Sequence, residues 1–354
     1  MNDFMRFYKG SMLFTIVGAF LAFAFLGGWQ AMMTVLILGV LETSLSFDNA
    51  VVNAAKLETM DDKSKKWFLT WGMLIAVFGM RLFFPLAIVS MIGDMSMWKA
   101  LTTALNDPAE YARILTSSHI LVAGFGGAFL LMVFFKFFFD KEKEVHWIGF
   151  IEKHLGHLEA TEVAATIGVV LVMSLWVPSA EVLSFLKASL YGLITYIAVD
   201  KFGSVMEGMD EQVSGSANTA VKSGIAGLLY LEVLDASCSF DGVIGSFAIT
   251  TQIFIIMIGL GIGAMFVRSM TVQMVEKGTL NEFKYLEAGA FYSIGFLAIT
   301  MLLNTFHEIP ELVTGLTGAA FIIAAFISSV FADKDEECAP SSCGQHCPGC
   351  PQKD

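Results

Sequence analysis

The amino-acid sequence predicts an all-α protein, a polytopic transmembrane helical bundle of about ten helices with an inverted-topology internal repeat. Hydrophobic residues make up 56% of its 354 residues, charged residues only 15%, and the mean hydropathy is +0.69. Soluble proteins carry about 25% charged residues. Apolar runs recur along the chain, many of them close to the ~20 residues that cross a bilayer. The net charge of −12 and the scattered lysines and arginines exclude a basic surface for nucleic acid.

The apolar runs define ten predicted membrane segments, which are 11–28, 31–55, 67–93, 113–138, 162–178, 182–203, 221–247, 251–273, 284–305 and 311–331. Pro178 and Glu181 separate the fifth segment from the sixth, and if these two form one broken helix the number falls to nine. Arg6 and Lys9 precede the first segment, as in a secretory signal peptide. However, this segment lacks a small-residue cleavage site, and its removal would disrupt the repeat.

Positive charges predict the orientation, because lysines and arginines are concentrated in cytoplasmic loops. Ten segments with both termini in the cytoplasm place Lys56, Lys65 and Lys66 in one inner loop and leave the loop 304–311 without Lys or Arg. The predicted divisions of the chain are a first transmembrane repeat over 1–140, a cytoplasmic connector over 141–161, a second repeat over 162–332 and a disordered, Cys-rich cytoplasmic tail over 333–354. Membrane lipid is an expected partner, and nothing in the sequence predicts the oligomeric state.

A short motif occurs twice. The first copy reads Leu41-Glu-Thr-Ser-Leu-Ser-Phe-Asp48, and the second reads Leu234-Asp-Ala-Ser-Cys-Ser-Phe-Asp241. Each copy is followed by a glycine nine residues before an arginine, which gives Arg81 and Arg268. The two motif segments are the second and the seventh, so they cross the membrane in opposite directions. Secondary transporters are often built from such inverted repeats, with the substrate site near the midplane between them.

The repeated acids are the candidate site residues. A charged carboxylate at the bilayer centre costs about 2.5–3.5 kcal/mol on insertion scales, so it must face a cavity, a counter-charge or a bound cation. Carboxylate, amide and hydroxyl oxygens suit hard divalent ions. The candidate metal ligands are therefore Glu42, Asp48, Asn49, Asp235, Asp241, Ser46 and Ser239, and the accessory candidates are Ser44, Ser237, Glu232 and Glu287.

A regular helix does not direct both acids of one motif to the same point, because six residues at 100° each place Glu42 and Asp48 about 120° apart. Unwound backbone that lines a cavity would bring them together. Gly242 and Gly245 predict such a break in the second motif, whereas the first motif has no glycine. Arg81 and Arg268 are predicted either to neutralise the acids of the empty site or to form purely structural ion pairs.

The C-terminal tail carries Cys338, Cys343, Cys347 and Cys350. In the cytoplasm these thiols should stay reduced. Only the last two have ordinary zinc-ligand spacing, so the tail is either a soft-metal or thiol-sensing segment or a neutral extension. The sequence contains no phosphate-binding loop with a lysine, no metalloprotease histidine pair and no nucleophile elbow, and it predicts no enzyme.

The first motif resembles the Glu-x-x-x-Ser-x-Asp-Asn signature of the TerC-like integral membrane family, and Ser237-Cys-Ser-Phe-Asp241 resembles that family's second signature. The family includes tellurium-resistance membrane proteins within a lysine-exporter-like superfamily. The resemblance implies manganese export across the bacterial inner membrane, with the acids and Asn49 lining the ion site. The sequence departs from the pattern at Gly242, where the first motif has Asn49, and in its tail.

These observations predict a secondary transporter that exports a divalent cation, most of all manganese, with calcium and magnesium as the other candidates and no fixed cofactor. Two alternatives stay open. One is an exporter of a small organic cation or amino acid, which aromatic packing around the site would favour. The other is a membrane-embedded factor for metal or tellurite stress, or for assembly, that uses its tail and loops to bind partners.

Overall fold

The computed structural model of the protein describes residues 2–58, 60, 62–72, 75–140, 145–150, 152, 161–212, 217–307 and 309–337. All regular secondary structure in these ranges is helical. The N-terminal half contains α1 (Asn2–Leu21), π1 (Ala22–Gly27), α2 (Gly28–Leu45), α3 (Phe47–Glu58), α4 (Asp62–Trp67), π2 (Phe68–Gly72), π3 (Ile75–Phe83), α5 (Phe84–Ile92), α6 (Met97–Asn106), α7 (Pro108–Ser117) and α8 (His119–Phe139).

The C-terminal half is built from fewer and longer helices. They are α9 (Glu162–Ser174), α10 (Val182–Gln212), α11 (Ala217–Ile249), α12 (Ile253–Lys277), α13 (Thr279–Glu282), α14 (Leu286–Leu303) and α15 (Glu311–Glu337). A left-handed Gly278 ends α12 with φ +62°, a conformation that favours glycine.

The described residues contain six helices that are long and apolar enough to cross a bilayer, or seven if two helices bent by 104° form one span. This confirms a multi-pass, all-helical membrane protein, but it does not confirm ten crossings. The first predicted segment and most of the second fall in one apolar stretch of 41 residues, Met5–Leu45, which the positive-φ glycines Gly27 and Gly28 divide. The fifth predicted segment corresponds to α9, which has only 13 residues. At 1.5 Å per residue α9 is about 20 Å long, which is short of a hydrocarbon core of about 30 Å.

Two helices organise the packing. α12 packs against both α1 and α2, and α8 packs against α10 and α14. Glycines allow the closest approaches: a Cβ on Gly39 would lie 2.9 Å from the Ile262 side chain, and one on Gly259 would lie 2.6 Å from Leu38. Small residues permit this contact in membrane helices, where hydrophobic exclusion does not drive association.

The outer helices expose large apolar side chains. They include Ile16 and Phe20 on α1, Val40 on α2, Leu183 on α10 and Leu316 on α15, each more than 60% exposed. A soluble protein does not leave such an extensive apolar surface in water. These helix faces therefore contact lipid.

Candidate functional site

A buried ion-pair network joins the two motifs. Nη2 of Arg81 lies 2.6 Å from Oε1 of Glu42, and Nη1 of the same arginine lies 3.8 Å from Oδ2 of Asp235. The Arg81 and Glu42 side chains are only 1% and 2% exposed, and Asp235 is 14% exposed. Glu42 and Asp235 occupy the same position of the repeated motif, so one arginine brings together equivalent acids from the two halves.

The helix that carries Glu42 is interrupted at Ser46. α2 ends at Leu45 and α3 begins at Phe47, with Ser46 between them at φ −100° and ψ +20°. The Ser46 hydroxyl donates to Oε1 of Glu42 at 3.2 Å. The sequence predicted a break in the second motif, and that prediction is wrong for the described backbone, since α11 runs unbroken from Ala217 to Ile249.

Glycines in the second half serve close contact with Glu42. A Cβ on Gly242 would lie 2.9 Å from Oε2 of Glu42. A Cβ on Gly263 would lie only 2.3 Å from Cγ of Glu42 and 2.4 Å from its Cβ. Gly242 therefore accommodates a carboxylate and does not bend its helix, which explains why an asparagine matching Asn49 is absent from the second motif.

Asp48 lies in the first turn of α3 and is buried. Its Oδ1 accepts the backbone N–H of Asn49 at 2.9 Å, and its Oδ2 accepts the hydroxyl of Ser293 on α14 at 2.8 Å. Ser293 was not among the predicted site residues. A serine within an apolar segment was the only signal for it, and the sequence contains many such serines.

The Asn49 side chain is 1% exposed, and neither its amide nitrogen nor its amide oxygen has a hydrogen-bond partner in the described structure. An unsatisfied buried polar group costs about 1–3 kcal/mol. Such groups are unusual in folded proteins and call for an explanation, such as a role in binding a water or an ion. Asn49 offers both an acceptor and a donor at the position next to Asp48.

Two cavities lie on either side of this network. We call the first the Asp48 cavity; it has a volume of about 600 Å³ including its open mouth, and among its lining residues are Glu42, Ser46, Asp48, Asn49, Cys238, Ser293, Asn304 and Thr314. We call the second the Glu232 cavity; it measures about 520 Å³ on the same basis, and among its lining residues are Ser46, Asn53, Phe68, Arg81, Glu232, Asp235, Arg268 and Thr271. Ser46 lines both.

The remaining predicted residues of the second half lie near the Glu232 cavity or within their own helix. Glu232, Ser237 and Ser239 are buried, with Ser237 donating to the carbonyl of Val233 in its own helix and Ser239 lying beside Asp235. Arg268 is half-buried and lines the Glu232 cavity together with Arg81. Pairing of Arg268 with an acid stays a prediction.

Two accessory predictions are wrong. Ser44 is exposed and donates to the carbonyl of Val40 at 2.8 Å, because the break at Ser46 separates the face of α2 that carries Ser44 from the face of α3 that carries Asp48. Glu287 is exposed in the first turn of α14, so it is not an interior carboxylate. The side chain of Asp241 lies outside the described residues, and so do the tail thiols Cys338, Cys343, Cys347 and Cys350.

Within the described part of the chain, no group of three or more His, Cys, Asp or Glu side chains is arranged to hold a metal ion. The Arg81 guanidinium lies between Glu42 and Asp235. A cation between those two acids would need the arginine to move, because like charges repel strongly in a low-dielectric site.

Comparison with known proteins gives the family but not the activity. Residues 47–336, most of the chain, match a family model described as "Protein of unknown function (DUF475)". The chain belongs to this family. It is also 31% identical over 102 residues to the "Uncharacterized membrane protein YceF" of Bacillus subtilis (strain 168). That alignment covers 28% of this chain and 37% of the relative, so the chain matches little more than a third of the relative's length.

No solved structure matches the chain. A membrane protein as a relative agrees with the apolar outer surface described above. Neither match names the TerC-like family, so that resemblance stays a prediction.

Proposed function

We propose that this protein is a secondary transporter that exports a divalent cation, most of all manganese, across the bacterial inner membrane. The observation that carries the proposal is an excess of buried negative charge at the junction of the two motifs. The four interior carboxylates of the described site are Glu42, Asp48, Glu232 and Asp235, and the two guanidinium groups facing them belong to Arg81 and Arg268. When all are ionised, two negative charges remain, which is the charge that one divalent cation neutralises.

The Asp48 cavity is the proposed binding site. Its polar lining includes carboxylate, amide and hydroxyl oxygens from Glu42, Asp48, Asn49, Ser46 and Ser293. Hard divalent ions prefer oxygen donors of these kinds.

An inverted repeat is supported by reciprocal packing. α12, which follows the second motif, packs on α2, and π3, which follows the first motif, packs on α11. A Cβ on Gly72 would meet Glu232 and Leu228, whereas one on Gly259 would meet Leu38 and Val35. Leu228 and Val35 occupy equivalent positions before the two motifs, as expected if the two halves exchange equivalent contacts.

The described lining of the Asp48 cavity contains no aromatic side chain, which disfavours a site for an organic cation or amino acid. The assembly alternative depends on the tail and loops, and it is separated from transport by the experiment below.

The test is metal accumulation in cells that lack or overproduce the protein, with manganese, calcium and magnesium measured by mass spectrometry after a manganese load. Overproduction should lower cellular manganese, and Asp48→Asn should abolish this effect because it removes one of the two excess charges. Ser293→Ala should weaken it, since the hydroxyl holds Oδ2 of Asp48. Glu110→Gln, which neutralises an exposed acid on α7, is the matched control and should export normally.

If all three metals stay unchanged, the transport proposal is wrong. If deletion of residues 338–354 abolishes the change in cellular manganese while Asp48→Asn does not, the result favours the assembly factor over the transporter.

A further inference from the structure

The ion pair between Glu42 and Arg81 crosses the wall between the two cavities. Glu42 lines the Asp48 cavity, Arg81 lines the Glu232 cavity, and their 2.6 Å contact joins the two linings. Ser46, which lines both cavities, donates to the same Glu42 oxygen that Arg81 contacts. One carboxylate oxygen therefore receives a hydrogen bond from Arg81 and another from Ser46, and these three residues include lining residues of both cavities.

The two cavities lie toward opposite ends of the helices. The Glu232 cavity is lined by Asn53 and Phe68, which flank the lysine-rich connection between α3 and π2. The Asp48 cavity is lined by Asn304 and Thr314, which flank the connection between α14 and α15 that lacks lysine and arginine. The positive-inside rule therefore assigns the first cavity to the cytoplasmic side and the second to the outer side.

We propose that the Glu42–Arg81 ion pair is the partition of a single cation path, and that a transported cation crosses by replacing the Arg81 guanidinium at Glu42. This inference rests on the proposed transport function. Arg81 acts as a tethered cation: it neutralises Glu42 when the path is closed and leaves Glu42 when a mobile cation arrives. Repulsion between the two positive charges, strong in a low-dielectric interior, supplies the reason for the exchange.

The Glu232 cavity contains acceptors for the displaced guanidinium. Asp235 already lies 3.8 Å from Nη1 of Arg81. Glu232 is 6% exposed, and its Oε2 has no hydrogen-bond partner in the described structure. In the proposed exchange the Arg81 side chain turns from Glu42 toward these two acids, which line the same cavity, so that the buried charge stays compensated.

The native cysteine in the Asp48 cavity is a reporter for the partition. A chain in which Cys338, Cys343, Cys347 and Cys350 are replaced by serine retains Cys238 alone. A membrane-impermeant cationic methanethiosulfonate reagent is applied to right-side-out vesicles and, separately, to inside-out vesicles. With Arg81 present, Cys238 should react from the outer face and be protected from the cytoplasmic face.

Arg81→Gln should open the partition and raise the rate of modification from the cytoplasmic face by about tenfold or more, because removing one partner of a buried pair destabilises it strongly. Glu42→Gln, which keeps an acceptor but loses the charge, should give a smaller increase. Arg81→Lys retains a cation and should keep the protection. Arg113→Gln removes an exposed guanidinium and is the control, with no change expected.

The proposal is overturned if, in the chain that retains Cys238 alone and keeps Glu42 and Arg81, Cys238 reacts equally from both faces. It is also overturned if Cys238 stays protected from the cytoplasmic face in Glu42→Gln and in every Arg81 variant that is recovered as a monodisperse protein. Glu42→Gln gives this answer even if Arg81→Gln fails to fold. If cells export metal but Cys238 does not show the expected difference between the two faces, only the partition proposal is wrong. If Cys238 shows that difference but no metal is exported, the transport proposal is wrong.

Discussion

The two motifs carry the same spacing of acids, but the chain passes through them differently. The first motif is divided between α2 and α3, with Ser46 at the break, whereas the second lies within the unbroken α11. In the first motif, Glu42 and Asp48 both line one cavity. In the second motif, Asp235 lines the other cavity, beside Arg81.

The two motifs differ in the residues that they contribute around the Glu42–Arg81 ion pair. The first half supplies both Glu42 and Arg81, which form the 2.6 Å contact, and the second half supplies glycines that let Glu42 approach. Gly242 occupies the position after the motif's second acid, where the first half has Asn49. The first motif thus contributes the acid of the 2.6 Å ion pair, and the second contributes Asp235 and a glycine that makes room for Glu42.

The largest expected effect that tests this asymmetry is that of Arg81→Met. The substitution leaves Glu42 and Asp235 buried without their cation, and loss of one partner of a buried pair costs about 3–5 kcal/mol. The measurement is thermal unfolding of the purified protein in detergent. Arg268→Met, at the equivalent position of the second half, should cost clearly less because Arg268 is only half-buried. Equal losses would mean that the two halves contribute equally and that the asymmetry is superficial.

An intermediate effect is expected for Gly242→Ala. The added Cβ would lie 2.9 Å from Oε2 of Glu42, and overpacking of this kind costs about 1–3 kcal/mol. The matched control is Gly168→Ala on α9, where a Cβ would meet nothing within 4 Å. That variant should be neutral, or stabilised by about 0.5–1 kcal/mol through the better helix propensity of alanine. Thermal unfolding in detergent compares the stability of the two variants. A Gly242→Ala protein as stable as the Gly168→Ala control would contradict the packing role of Gly242.

The smallest effect is expected for Ser46→Ala. It removes the 3.2 Å hydrogen bond to Glu42 while the stronger contact with Arg81 remains, so the loss should be about 0.5–1.5 kcal/mol. Ser44→Ala, two residues earlier, removes only a bond from an exposed hydroxyl to its own helix and should leave the unfolding midpoint unchanged. If Ser44→Ala is the more damaging variant, the break at Ser46 has no role in holding Glu42.

Much of the site was accessible from the sequence, because charges in apolar segments are costly and therefore conspicuous. Glu42, Asp48 and Asp235 are all interior, and Arg81 contacts two of them. Ser44 and Glu287 were predicted as accessory site residues but are exposed. Periodicity alone does not give the rotation of a helix against its neighbours. Ser293 was missed because it lies 245 residues from Asp48 in the chain, and only the packing of α14 on α3 brings them together.

The number of crossings shows the same limit. Hydropathy found the apolar segments, but it did not reveal that α9 has only 13 residues. A window of apolar residues reports whether a segment tolerates lipid, whereas the direction and length of a helix also depend on its neighbours.

The sequence by itself determined that the chain is a membrane protein, that a motif with two acids occurs twice, and that each motif is followed by an arginine nine residues after a glycine. These are properties of composition and local pattern. Only the tertiary structure decided which arginine contacts the acids, which motif is broken and which glycine makes room for Glu42. Those choices depend on contacts between helices far apart in the chain, where differences of a few tenths of an ångström decide whether a side chain fits.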